Sequence, residues 1–319
     1  MKKILIFTLV SALFLSYTSC KKTTTTPTGS SSVYTKPIDL TSPAEVKLAL
    51  GEMPATFTKK AVIEEATAAW CGYCPYGAIN MKDAVDSYPD KVYGVAFHDG
   101  DVMSDMYDSY TSSSTLDFET RYAISGIPGG LVNRMSTSNN YNSWKSIAAS
   151  ELAKPAVSGL GIITQRIDPQ TFAIDVHCGF STSLVSTDQY YMVAYLLEDA
   201  VHKGSAYDQH NYADINSSAP DPTSPYYKAG DPMSSAKYIH NHLLRQVLYK
   251  KGIWGTLIPT EKITPRGEFN ALLNVYINPE FNQNNLTVIA MIVKKGAGAT
   301  QDYIENVQEC KLGSIKKWD

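Results

Sequence analysis

Hydrophobic positions fall along this chain in three rhythms. Lys2 and Lys3 precede an unbroken apolar run, ILIFTLVSALFLSY, which ends in small polar residues and Cys20. A basic start followed by so short an apolar segment predicts a secretory signal over residues 1–19, too short for a comfortable membrane span. Residues 21–32, KKTTTTPTGSSS, hold nothing to bury, so 20–45 is expected to be a flexible tether. Fully extended, the low-complexity stretch reaches at most ~40 Å. No later segment is apolar for long enough to span a bilayer.

From residue 46 the spacing is mixed. AVIEEAT reads as a short strand, and CPYGAINMKDAVDSY places Ile79, Met81, Ala84 and Val85 at helical intervals. SWKSIAASELAK predicts a further helix, with Ser143 as its candidate cap. After Pro155 come short runs, VSGLGIITQRI, TFAIDVHCGFST, QYYMVAYLLEDAV, FNALLNVYI and LTVIAMIVKK, several of them alternating and separated by turn residues. The pattern predicts an α/β domain over 46–154 followed by an all-β domain over 155–319, an antiparallel sandwich of immunoglobulin-like character.

Composition narrows the class. The chain has 319 residues, 44% hydrophobic and 18% charged, enough for a sizeable core and about two domains. A formal charge of −3 gives no reason to expect a nucleic-acid partner.

The candidate chemistry lies in WCGYCP, residues 70–75. A strand runs into a helix with Cys71 at the turn, where unpaired backbone N–H groups and the helix dipole favour a thiolate. Cys74, a turn further in, is suited to resolving a mixed disulfide. A zinc site needs about four ligands and the motif holds two, so no metal and no organic cofactor is expected. An oxidising compartment equally favours a closed, inert disulfide, although so short a loop stabilises little. A working pair and an inert staple both stand at this point.

Glu65 lies six residues before Cys71, and SGIPGG follows about fifty residues after it. With Trp70, this set resembles the thioredoxin superfamily. The resemblance implies a thioredoxin-like domain in which Cys71 attacks, Cys74 resolves, Glu65 is a buried proton acceptor and Trp70 shapes the site. It also implies a cis peptide bond at Ile127–Pro128, whose exposed backbone pairs with a substrate chain in β fashion. The segment after Pro128 leaves room for one strand where thioredoxins place a hairpin.

Cys20, directly after Ser19, resembles the lipobox of bacterial lipoproteins, which implies cleavage before Cys20 and its acylation. Tyr17 departs from the leucine-like residue usual there, and plain secretion with another cleavage point is the alternative. Signal, tether and both halves together are similar to the 28-kDa outer-membrane protein family of Bacteroidetes lipoproteins. EEATAAWCGYCP, IPGGLVNR, YIHNHLLRQVL and IWG carry that resemblance. It implies a lipid-anchored outer-membrane protein, periplasm-facing or surface-exposed. Two functions fit: thiol–disulfide exchange with protein thiols or disulfides, or non-enzymatic, adhesin-like binding through the β half and the long loop 203–235.

Cys178 and Cys310 each lie in an expected strand, and an exported protein can join them in a structural disulfide or bury them as free thiols. His240 and His242 would share a face of a strand, but no third ligand completes a metal site. Loop 203–235 is long, nearly without core residues and bears Tyr207, Tyr212, Tyr226 and Tyr227; a contact surface and a plain surface meander are its two readings.

Overall fold

In the computed structural model, the described residues are 37–104, 106–108, 112–135, 140–184, 187–249 and 253–318. The expected signal, Cys20 and most of the tether lie outside them. In chain order the elements are α1 (Pro43–Leu50), β1 (Ala61–Thr67), α2 (Cys74–Ser87), β2 (Val92–His98), β3 (Met106–Asp108), β4 (Ser112–Ser113), α3 (Ser114–Tyr122) and β5 (Gly129–Val132). There follow α4 (Trp144–Leu152), β6 (Ser158–Arg166), β7 (Thr171–Phe180), β8 (Gln189–Glu198), β9 (Leu243–Val247), β10 (Thr256–Leu257), β11 (Glu268–Tyr276), β12 (Leu286–Lys295), β13 (Tyr303–Lys311) and β14 (Ile315–Lys316).

β1 is buried along its whole length because it is an inner strand. It pairs in parallel with β2 on one side and antiparallel with the edge strand β5 on the other. Between Pro128 and α4 the described residues hold one strand, β5, as the short segment there leads one to expect. The sheet continues past β2, however. β9 pairs in parallel with β2, and β8, β12 and β13 follow in order, giving β13-β12-β8-β9-β2-β1-β5, with β10 also on β8. A second sheet, β11-β7-β6-β14, packs against the β8/β12 end.

Both faces of the large sheet are covered, and the side chains alternate accordingly. Tyr190, Met192, Ala194 and Leu196 of β8, with Val288, Ala290 and Ile292 of β12, meet Ile162, Ile174 and Val176 of the second sheet. Their alternates Val193, Tyr195, Leu197, Ile289 and Met291 join Val62, Val95, Phe97 and Leu131 in a core closed by Phe118 and Tyr122 of α3. At the β1 end the remaining face is covered by α2 and α4 through Met81, Ala84, Trp144 and Ala148.

The expected α/β part and sheet-rich part are both present, but the second is not a self-contained sandwich. β8, β12 and β13 belong to the sheet that carries β1, β2 and β5, and no break in that sheet falls at residue 154. The reason is energetic. A strand as apolar on both faces as YMVAYLL is most stable inside a sheet covered on both sides, and β9 supplies the backbone partner that joins it to β2.

A buried ion pair fastens this join. Arg134, just past β5, gives Nε and Nη2 to the Glu64 carboxylate at 2.8 and 2.7 Å, and both side chains are fully buried. Its remaining donors reach the Ile253 carbonyl at 2.9 Å and the Tyr195 hydroxyl at 3.1 Å. Arg134 therefore ties together the EE, NR and IWG motifs, which are far apart in sequence.

Cys178 and Cys310 are both free, buried thiols, so the expected disulfide between them is not formed. They sit on different sheets. Cys178 is in β7, paired across from Leu160 and Phe269, whereas the Cys310 thiol in β13 donates to the Ser314 carbonyl at 3.4 Å. Burial pushes the Cys178 thiol upward and the Cys310 thiol to about 12, so both behave as small apolar residues of the core.

Candidate active site

β1 ends in the turn that carries the cysteines. Cys71 and Cys74 are joined by a disulfide, with Cα atoms 5.4 Å apart. Cys74 opens α2 instead of lying a turn inside it, with Pro75 directly behind, where the ring costs no helical hydrogen bond. Cys74 is fully buried, whereas Cys71 is 6% exposed and lines a surface groove, so Cys71 is the more accessible of the two. Its Sγ lies 3.6 Å from the carbonyl oxygen of Ile127, and the Ile127–Pro128 bond is cis.

Glu65 alternates with Glu64 along β1 and faces the opposite way, toward α2. It is 2% exposed, and its Oε1 has no hydrogen-bond partner. Burial pushes its pKa up to about 8, so near neutral pH it holds a proton that it can also give up. Helix α2 comes this close only because residue 77 is glycine. A Cβ there would overlap Glu65 Oε1 and come within 2.8 Å of Pro128 Cβ. The structure thus brings Cys71, Cys74, Glu65 and Pro128 together, with Trp70 at the rim, 50% exposed.

Two groups of side chains hold the turn from outside. Asp101 accepts from the Ala69 N–H and from His98 Nδ1, each at 2.7 Å. Burial opposes its charge, but the His98 hydrogen bond and the backbone donors hold Asp101 below the usual carboxylate range. The Trp70 indole N–H donates to the Asp99 carbonyl at 2.8 Å.

The second group comes from loop 203–235. Gln209 Nε2 lies 3.1, 3.2 and 2.8 Å from the carbonyl oxygens of Ala68, Ala69 and Cys71. The His210 N–H donates to Ala69 and the Tyr212 N–H to Gly72, at 2.8 and 2.9 Å. The Tyr212 ring lies on Gly72, where any Cβ would overlap it, and meets Tyr73 edge-on at 5.1 Å. Asp221 accepts from the Tyr76 hydroxyl at 2.7 Å. Residues 209–212 of this loop are therefore not a free meander; they roof the cysteine turn. The composition of DQHNYAD gave no hint of this, because nothing in it specifies a partner so distant in sequence.

A cavity of about 600 Å³ opens on Glu65 and is lined also by His98, Tyr238, His240, His242 and Asp199. His240 and His242 do not lie in a strand. His242 has φ 57°, and β9 begins one residue later. His240 Nε2 donates to the Tyr207 carbonyl at 2.9 Å, and burial followed by the neighbouring His98 depresses its pKa to about 4. Among the described residues no group of three or more His, Cys, Asp or Glu is placed to hold a metal ion. On the Cys71 side, a groove of about 450 Å³ runs between Trp70, Tyr73, Tyr212, Asp99, Glu119 and Ile127.

Against solved structures, the chain is similar to HBP35 of Porphyromonas gingivalis, at 20% identity over 81% of this chain and 76% of that one, with a TM-score of 0.62. That likeness speaks for the fold. A protein from Agrobacterium tumefaciens matches at 10% identity over 80% of this chain and 95% of that one, TM-score 0.45. A domain of the outer membrane lipoprotein Omp28 from P. gingivalis matches at 13% identity over 49% and 88%, TM-score 0.29. No curated protein matches. Among the described residues, no helix is long and apolar enough to cross a membrane. The family model for outer membrane protein Omp28 matches residues 116–316, well over half of the sequence, and the chain belongs to that family.

Proposed function

We propose that this Omp28-family chain is a thiol–disulfide oxidoreductase of the cell envelope, held at the outer membrane by a lipid on Cys20. One observation carries the reading: the sulfur of Cys71, the more accessible cysteine, lies against the Ile127 carbonyl while a protonatable Glu65, its Oε1 without a partner, is buried behind the same turn. A structural staple has no use for such a carboxyl, whose burial costs free energy. In the reduced protein the Cys71 thiolate attacks a substrate disulfide and forms a mixed disulfide. One substrate sulfur leaves as a thiolate and takes a proton. Cys74 then loses its proton, with Glu65 in its ionised form as acceptor, and attacks Cys71 Sγ. The second substrate thiolate leaves, and two electrons have passed from the protein to the substrate.

Equilibration of the purified protein with glutathione buffers, read by thiol alkylation and mass, tests this. A reversible couple between about −270 and −120 mV supports exchange chemistry, and a disulfide far below −300 mV overturns it. Cys74→Ser is expected to trap mixed disulfides on Cys71. Cys20→Ser is expected to release the protein from the membrane fraction. The adhesin-like alternative loses part of its surface to the cysteine turn, since the Gln209 side chain and the backbone N–H groups of His210 and Tyr212 bond to that turn.

A further inference from the structure

We propose that the groove beside Cys71 selects cysteine peptides carrying lysine or arginine next to the reacting thiol, a substrate class that rests on the exchange chemistry proposed above. Two independent features of the groove point to a cation. The first is charge. Asp99 and Glu119 both line it, and neither carboxylate has a side-chain partner among the described residues. No lysine, arginine or histidine lines it among those residues either. Burial, and then the charge of Asp99, push Glu119 up to about 7, so an incoming cation would relieve the repulsion between the two.

The second feature is aromatic. Trp70 and Tyr73 are 50% and 49% exposed, although large aromatic side chains at a protein surface usually bury more of their area. The Trp70 ring is fixed by its N–H bond to Asp99, and Tyr73 is braced edge-on by Tyr212. Fixed, exposed ring faces beside carboxylates suit an ammonium or guanidinium group, which gains from both. The Ile127 carbonyl next to Cys71 is left to position the peptide.

The disulfide form of the protein allows a single-turnover test with no added reductant. A peptide thiolate attacks Cys71 Sγ, the Cys71–Cys74 bond breaks, and the Cys74 thiolate takes a proton. The peptide's second thiolate then attacks the peptide sulfur of the mixed disulfide. This closes the peptide disulfide and releases Cys71, so two electrons pass to the protein.

Three Cys-Gly-Gly-Cys peptides, flanked by lysines, glutamines or glutamates, are mixed with the oxidised protein, with dithiothreitol as a neutral dithiol. Each rate is divided by that of the same dithiol with hydroxyethyl disulfide, which removes differences in thiol reactivity. The lysine peptide is expected to react about tenfold faster than the glutamate peptide at low salt, the low end of what focused charge gives. The ratio should fall toward one in ~0.5 M salt, where screening shortens the reach of the charges. It should fall likewise in Asp99→Asn/Glu119→Gln. Equal normalised rates, or a preference for the glutamate peptide, while dithiothreitol reacts readily, overturn the substrate class alone. A disulfide that dithiothreitol does not reduce in the folded protein overturns the exchange chemistry, and this proposal with it.

Discussion

The Glu65 carboxyl packs directly on the Cα of Gly77, with no room between β1 and α2 for even a methyl group. Gly77→Ala is therefore expected to push α2 away from β1, at a cost of about 1–3 kcal/mol for the overpacking. Because Cys74 is the first residue of that helix, the same shift should move the potential of the cysteine pair. Urea unfolding and redox equilibration of one variant check both effects. A variant with unchanged potential would separate the helix position from the chemistry.

Glu65 also sets a pH dependence. An acid whose pKa rises from 4.5 to about 8 on folding binds a proton more tightly in the native state. Its effect on stability is therefore most favourable below pH 4.5, declines as pH rises toward 8, and is constant above. The slope in that window approaches ~1.4 kcal/mol per pH unit from this group alone. Glu65→Gln should remove that slope. The check is the difference between wild type and variant in urea midpoints at pH 5.5 and 7.5, with the variant the relatively more stable at the higher pH.

Residue 209 offers a separate handle. Gln209→Leu would remove the donor shared by the carbonyls of Ala68, Ala69 and Cys71, each of which keeps one backbone N–H, so the expected cost is that of a lost hydrogen bond, about 0.5–1.5 kcal/mol. Looser holding of the turn should also speed alkylation of Cys71 in the reduced protein. Timed alkylation with mass detection is the measurement. An unchanged rate would mean that Asp101 and His98 hold the turn without help from the loop.

The Arg134–Glu64 pair gives the largest expected loss. Arg134→Leu would strand a buried carboxylate and cost about 3–5 kcal/mol, while Arg134→Leu combined with Glu64→Leu should recover much of it, since both charges are then gone. Chemical unfolding of the two variants compares these costs.

What could be read from the residues was what is local. Cys71, Cys74, Glu65 and the Ile-Pro pair are placed by one strand, one turn and one helix start, each with its own pattern. The join between β2 and β9 was not legible, because β9 is short and its partner lies some 150 residues earlier, where no periodicity reaches. A trace of it existed: YMVAYLL is continuously apolar, which points to a strand buried on both faces and hence to more than a two-layer sandwich. Gln209 and Tyr212 were invisible for a different reason. Polar side chains that bond to backbone carbonyls can serve any turn, so their identity does not name the one they serve. Cys178 and Cys310 show the reverse case, in which an exported chain uses the sulfur of cysteine as filling.

A sheet without a seam has consequences for how this protein can change. Residues 46–154 expressed alone would end at β2 with an open row of backbone donors and acceptors, beside a strip of apolar side chains that β8 and β9 normally cover. Such an edge recruits other chains and aggregates. The two halves are therefore bound to a shared inheritance. A gene fusion that swapped one of them for a foreign domain would expose the flank of the other, so variation has to enter through the loops and the groove while the sheet is passed on whole.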